Sequence, residues 1–126
     1  MRVIVDSYAW IEYLRGSEKG EKVRKLLSEN NDIYTLNLMI SEVVSKVERE
    51  SENSDIAYNA IIFNSKIFNL TPEISKDAGI FHAQRKKKVR NFGLVDAILF
   101  SVAKKLNAKI ITGDEHFKTF KETIFL

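Results

Sequence analysis

The chain has 126 residues and a net charge of +3, with 44% hydrophobic and 29% charged residues, the balance of an ordinary globular domain. It contains no cysteine, which excludes disulfide frameworks and thiolate-based zinc or iron–sulfur sites. An acid at position 6 comes too early for a signal-peptide core. No uncharged apolar run reaches the roughly 18 residues of a membrane span, so the expected compartment is the cytoplasm.

Arg2 to Val5 is a short, almost uniformly apolar run, the pattern of a strand covered on both faces. Ser7 can cap a helix over Tyr8 to Arg15 that ends at Gly16. Ser17 opens a second helix, with Val23, Leu26 and Leu27 on one face, and Ile33 to Leu36 reads as the next strand. Asn37 can cap a helix in which Ile40, Val43, Val44 and Val47 fall at i, i+3, i+4 and i+7. Another helix starts near Ser54, and Ile67 to Leu70 reads as a short strand. Thr71-Pro72 combines a capping hydroxyl with proline at the first helical position, predicting a helix to about Lys87. A further helix is expected over Leu94 to Leu106, then strands over Lys109 to Thr112 and Thr123 to Phe125.

Short apolar strands alternating with amphipathic helices imply an α/β fold with a central, mostly parallel sheet and helices on both faces. No repeat, low-complexity stretch or linker interrupts the pattern, so a single domain over residues 1–126 is expected. In open sheets of this kind, sites form beyond the carboxyl ends of the strands. Asp6 directly follows the first strand, and Asp114 lies two residues past Thr112. Glu42 and Asp96 lie in or near the first turns of their helices, so all four acids can converge at one end of the sheet.

Clustered carboxylates repel one another and protonate unless a cation compensates them. Hard oxygen ligands select Mg²⁺ or Mn²⁺, and one or two such ions can activate water against a phosphodiester. Each acid also has a plainer role open to it: Asp6 and Asp114 as caps, Asp96 against its helix dipole, Glu42 as a solvated residue. It is their joint placement that points to a metal site. Taking these four acids out of the +3 leaves +7, a basic exterior suited to a polyanion.

The densest positive charge is the run Arg85, Lys86, Lys87, Lys88 and Arg90, which can bind phosphates or simply end a helix. His82 reads as a packing or surface residue and His116 as a turn residue that can touch substrate. Trp10 and Tyr13 read as core, Glu12 as a rim residue, and Glu115 as a neighbour lending charge to Asp114 or facing water. Tyr58, Ile61, Ile62, Phe63, Ile67 and Phe68 form an unusually apolar stretch that fits an internal core or a second subunit.

The opening Met1-Arg-Val-Ile-Val-Asp-Ser-Tyr-Ala-Trp-Ile-Glu-Tyr-Leu-Arg15 resembles that of PIN-domain nucleases of the VapC toxin type. Gly93-Leu-Val-Asp96-Ala-Ile-Leu resembles the third acidic motif of that family, and Ile110-Ile-Thr-Gly-Asp114-Glu-His-Phe117 its closing Thr-x-Asp-x-x-Phe. Ser41-Glu42-Val43 fits the second acidic position, and the match runs in order from Asp6 to Phe117. Leu99, Phe100, Ser101 and Val102 depart from it, standing where the family commonly carries small residues.

The resemblance implies a PIN-like three-layer α/β/α fold and Mg²⁺- or Mn²⁺-dependent endonucleolytic cleavage of RNA, commonly tRNA or ribosomal RNA. It implies Asp6, Glu42, Asp96 and Asp114 as metal ligands for one or two ions, with Ser7 and Thr112 as supporting hydroxyls. It further implies a homodimer and inhibition by a cognate antitoxin. The alternative is a catalytically silent PIN-like module that binds RNA or protein, against which the retained acids argue. A response-regulator-like domain or an Asp-x-Asp phosphatase is disfavoured, because Asp6 is followed by Ser7 and Tyr8, and no Asp directly follows Leu36 or Leu70.

Overall fold

The structure is a computed structural model and describes residues 1–126. Five strands, β1 (Arg2–Val5), β2 (Asp32–Leu36), β3 (Lys66–Phe68), β4 (Lys109–Thr112) and β5 (Thr123–Phe125), form one sheet in the order β3-β2-β1-β4-β5. Every pairing is parallel. Six helices connect them: α1 (Ser7–Arg15), α2 (Glu18–Ser28), α3 (Asn37–Arg49), α4 (Ser54–Asn64), α5 (Pro72–Lys86) and α6 (Leu94–Leu106). No helix is long and apolar enough to cross a membrane.

Strand alternation divides the core into two layers. Val3 and Val5 of β1, Ile33 of β2 and Ile111 of β4 face a cluster built with Trp10, Val23, Val43 and Ile61 from α1 to α4. Ile4 and Ile110 point the other way, onto Ile74 of α5 and Leu99 and Val102 of α6. The fold is therefore three-layered α/β/α, and β1 is apolar throughout its last three residues because both of its faces are covered.

Most helix boundaries follow from local chemistry. Gly16 ends α1 in the left-handed region (φ 66°), where a side chain would be strained. Ser17 caps α2 by accepting from the Gly20 N–H, and Thr71 caps α5 by accepting from the Ile74 N–H. Two caps differ from the sequence expectation. Asp6, not Ser7, caps α1, because its carboxylate accepts from the Ser7 N–H at 2.7 Å. Leu36 occupies the cap position of α3 and Asn37 is its first residue, with its side chain turned onto the Leu38 N–H. A 3₁₀ turn at Glu115–Phe117, absent from the sequence reading, follows β4 and is capped by Asp114.

Trp10 and Tyr13 are packing residues, as read from the sequence. Trp10 is fully buried, donates its indole N–H to Thr35 Oγ1 at 3.1 Å and meets Tyr13 edge-on. The apolar stretch near α4 is split: Ile61 is buried and Ile67 and Phe68 half-buried, whereas Tyr58, Ile62 and Phe63 are exposed. That side of α4 is not an internal core.

The α1–α2 corner depends on Gly20. A Cβ there would overlap the backbone carbonyl of Glu12, a group with no flexible side chain to move aside. Gly20→Ala should therefore push α2 from α1 and lower stability by about 1–3 kcal/mol, as overpacking does. Urea denaturation checks this; an unchanged midpoint would mean the corner is looser than its geometry implies.

Candidate active site

Leaving β1 the chain runs outward through β2 and β3, then α5 and α6 carry it back to β4 on the other side of β1. The direction of winding thus reverses between β1 and β4, and the crevice beyond their carboxyl ends is where a parallel sheet receives ligands. The Asp6 N–H donates to the Ile111 carbonyl at 3.2 Å, extending the β1–β4 ladder by one step into that crevice.

A cavity of about 780 Å³ opens there. Asp6, Glu42, Asp96 and Asp114 all line it, but the group of three whose ligand atoms come within 4.8 Å of one another is Asp96, Asp114 and His116, without Asp6 or Glu42. Arg15, Lys46 and Arg49 stand on the same wall, with Ser7, Tyr8 and Glu12.

Asp6 sits deepest, 6% exposed. The Thr112 hydroxyl donates to its Oδ2 at 2.6 Å, and the Ser7 N–H holds its Oδ1. Burial nonetheless pushes its pKa from 3.8 up to about 6, against the lowering effect of the Thr112 and Ser7 hydrogen bonds, while the charges of Glu42 and Asp114 push it up further. Thr112 also accepts from the Asp114 N–H at 3.0 Å, so one buried hydroxyl ties the two acids together.

Asp96 lies in the first turn of α6 and is held by the Gly93 N–H at 3.4 Å. Partial burial raises its pKa, the hydrogen bond from His116 lowers it, and Asp114 raises it again. Glu42 is exposed overall, yet loss of water around its carboxyl raises its pKa, with the Ser7 hydroxyl opposing and Asp96 adding to the rise. Neither Asp6 nor Glu42 forms an ion pair with a lysine or arginine, and the pairs made by Asp96 and Asp114 are with His116 alone.

His116 is the residue the sequence reading undervalued. Its Nδ1 lies 2.9 Å from Asp96 Oδ2 and 3.5 Å from Asp114 Oδ1, and its backbone N–H donates to Asp114 Oδ1 at 2.9 Å. The signal for it was the step of two residues from Asp114, which one 3₁₀ turn folds back onto the acid. His82 matches its assignment as a packing residue, its Nε2 lying 3.0 Å from the Phe92 carbonyl.

The basic run lies elsewhere. Arg85, Lys86, Lys87, Lys88 and Arg90 are all absent from the cavity wall. Arg85 is withdrawn from phosphate contact, because its guanidinium lies over the rings of Phe92 and Phe120, 5.9 and 5.0 Å from their centres. Lys86, Lys87, Lys88 and Arg90 are exposed around the end of α5. The cavity's cations are Arg15, Lys46 and Arg49, which the sequence reading passed over because they are scattered along α1 and α3.

Gly113 makes the site's shape possible. A Cβ there would overlap the ring of Tyr8, whose hydroxyl accepts a hydrogen bond from Lys19 Nζ at 2.9 Å. A chain turning between Thr112 and Asp114 with any larger residue would displace Tyr8 from the cavity wall.

The chain thus combines a three-layer parallel α/β fold with an acid-lined pocket at its switch point. The chain belongs to the PIN domain family, whose family model matches residues 3–122. Among solved structures it is similar to VapBC2 of Rickettsia felis bound to a promoter DNA fragment (17% identity, TM-score 0.78, covering 100% of this chain and 98% of that one). It is also similar to VapC20 of Mycobacterium tuberculosis, described as a sarcin–ricin loop cleaving toxin (19%, 0.76, 94% and 95%). A toxin–antitoxin complex from Klebsiella pneumoniae is a third (16%, 0.76, 97% and 95%). No curated protein matched the chain by sequence.

The raised pKa of Asp6 has a consequence for stability. Between about pH 4 and 6 the folded, metal-free protein holds a proton on Asp6 that the unfolded chain has released, so the contribution of Asp6 to stability is full below 3.8 and is lost as pH rises through 6. At 1.36 kcal/mol per unit the penalty above pH 6 is on the order of 3 kcal/mol. Asp6→Asn should recover about 1–2 kcal/mol at pH 8, less than the whole because the amide cannot accept both hydrogen bonds. The gain should vanish by pH 5. Denaturation in EDTA at the two pH values measures it, and identical stability at pH 8 would contradict the burial penalty.

Proposed function

We propose that this protein is a divalent-metal-dependent endoribonuclease that hydrolyses phosphodiester bonds of tRNA or ribosomal RNA. It acts as the toxin of a toxin–antitoxin pair, works in the cytoplasm and is restrained by a cognate antitoxin. The observation that carries the reading is the gathering of four carboxylates round one cavity with no lysine or arginine paired to them. Burying such a cluster without a cation is unfavourable, and three of the four acids show it in raised pKa values.

The donor set fits Mg²⁺ or Mn²⁺, one ion or two: Asp6, Glu42, Asp96 and Asp114 would hold them. When bound, such an ion lowers the pKa of its water and neutralises charge developing on the phosphate. The chain's own part is to orient and position. Thr112 and the Ser7 N–H fix the Asp6 carboxylate at the cavity lining, where it would meet a cation. Arg15, Lys46 and Arg49 supply positive charge beside the acids, suited to the phosphates flanking the cut. In the free protein Arg15 and Lys46 lean on Glu50 at 3.0 and 3.3 Å, exposed pairs that a phosphate can displace with little loss. Lys86, Lys87, Lys88 and Arg90 are left as distal contacts with the RNA backbone.

One PIN unit over residues 1–126 carries this activity, and the exposed Ile56, Tyr58, Ile62 and Phe63 of α4 offer an apolar face for homodimerisation. The toxin role draws on similar structures, one described as a toxin–antitoxin complex and one as a toxin that cleaves the sarcin–ricin loop.

Labelled tRNA and ribosomal RNA should be cut by the purified protein with Mg²⁺ or Mn²⁺ and left intact in excess EDTA. Asp6→Asn and Asp96→Asn should each reduce cleavage at least about 100-fold while leaving the protein folded. RNA binding without cleavage by partner-free protein under any metal would sink the nuclease reading in favour of a silent binding module.

The placement of the cations makes a second prediction. Arg49→Ala and Lys46→Ala should weaken RNA binding at low salt and each lower the slope of log K against log salt by about 1. The same changes at Lys87 and Lys88 should have the smaller effect; the reverse ranking, read by fluorescence anisotropy on Asp6→Asn protein, would move the RNA path to the end of α5.

A further inference from the structure

We propose that His116 is a nitrogen ligand of the metal site and biases it toward Mn²⁺ and later first-row ions over Mg²⁺. The inference rests on the metal-dependent reading of the acid cluster and goes beyond its four carboxylates.

The geometry carries it. Nδ1 of His116 stands 2.9 Å from Asp96 Oδ2 and 3.5 Å from Asp114 Oδ1, and one ligand atom from each of the three residues lies within 4.8 Å of the others. Ligands about 2.1 Å from a common ion are about 3.0 Å apart at right angles and about 3.4 Å apart at the tetrahedral angle. The two nitrogen–oxygen distances, 2.9 and 3.5 Å, lie within about 0.1 Å of the two ends of that range. A simple hydrogen bond accounts for only one of them, because a single proton on Nδ1 serves one carboxylate.

The placement is fixed by the fold. Phe117 is completely buried and anchors the 3₁₀ turn, and the His116 N–H is pinned to Asp114. Asp96 is held in turn by the Gly93 N–H. The imidazole therefore needs no backbone movement to present Nδ1 to an ion between the two acids. It is also accessible, with 34% of its side chain exposed.

The consequence is selectivity. Mg²⁺ takes oxygen ligands, whereas imidazole suits the transition ions, whose affinity for a nitrogen-containing site rises from Mn²⁺ through Co²⁺. A site of carboxylates alone distinguishes Mg²⁺ from Mn²⁺ weakly. Adding Nδ1 of His116 shifts the balance without strengthening Mg²⁺ binding in proportion.

The test uses the full chain and Mn²⁺ itself. Pulsed electron paramagnetic resonance of the Mn²⁺-loaded protein should show coupling to a directly bound imidazole nitrogen, lost in His116→Ala and in His116→Gln. Gln can still hydrogen-bond Asp96, so it separates a ligand from a residue that only positions that acid. Titration should show Mn²⁺ affinity reduced about 10-fold or more in both variants, with Mg²⁺ affinity, read by competition, nearly unchanged. Thermal denaturation verifies that the variants are folded.

Wild-type Mn²⁺ binding without nitrogen coupling would overturn the proposal and leave the carboxylate site standing, as would full recovery of Mn²⁺ affinity by Gln. Failure of the wild-type protein to bind Mn²⁺ at all would overturn both.

Discussion

The parallel pairing of β1 with β4 is the constraint on which the rest of the molecule depends. It sets Val5 against Ile111, and so places Asp6 beside Thr112 although the two lie at opposite ends of the chain. The pairing is only possible because both strands are apolar on both faces and are covered by helices above and below. The strands end together, and the first polar residue beyond each is committed to the crevice between them. A buried carboxylate there is unfavourable, and the Thr112 hydroxyl is what makes it tolerable: it donates to Asp6 and accepts from the Asp114 backbone. Loss of that one hydroxyl would free two acids at once.

The walls of the cavity follow from the same pairing. Asp6 both ends β1 and caps α1, so the direction of α1 is tied to the position of the deepest acid. α3 leaves the end of the neighbouring strand β2 and brings Glu42 and, one and two turns later, Lys46 and Arg49 along the same side. α6 arrives from the opposite face of the sheet with Asp96 in its first turn. Three helices that share no local sequence feature are thus aimed at one point by sheet order alone. The result is a cavity whose lining carries both signs of charge, with buried Asp6 deepest among the acids and Arg15, Lys46 and Arg49 beside them.

Much of this was legible in the chain. Strand and helix periodicity is a local property, and α6, β4 and β5 run over the residues that their patterns and flanking turns indicate. Asp6 was readable because a polar residue at the end of a covered strand has few places to go, whereas Glu42 and Asp96, in early turns of their helices, stood out only jointly with it. Caps were less secure, since Asp6 and Ser7 are both good capping residues and only the fold decides which oxygen reaches the helix N–H. Gly20 and Gly113 were opaque, because their need for a bare Cα comes from groups on other parts of the chain, the Glu12 carbonyl and the Tyr8 ring. His116 was underread for a related reason. A histidine after a turn carries no pattern until the 3₁₀ turn returns it to Asp114 and Asp96.

The basic run stands apart from the cavity, although it is the densest positive charge in the chain. Five cations within six residues look like a phosphate-binding surface, yet charge density along the chain says nothing of distance from a site. Arg85 is drawn inward by an aromatic group of Phe81, Phe92, Phe100, Phe117 and Phe120, where its flat guanidinium adds to packing. Its Nε is buried without a hydrogen-bond partner, which is unfavourable and consistent with an arginine held by ring contact rather than by an acid. Arg15, Lys46 and Arg49 lie on two helices and are never closer than three residues in sequence, but the sheet sets them on one wall beside the carboxylates. For a substrate whose charges repeat along a strand, cations arranged in space matter more than cations arranged in sequence.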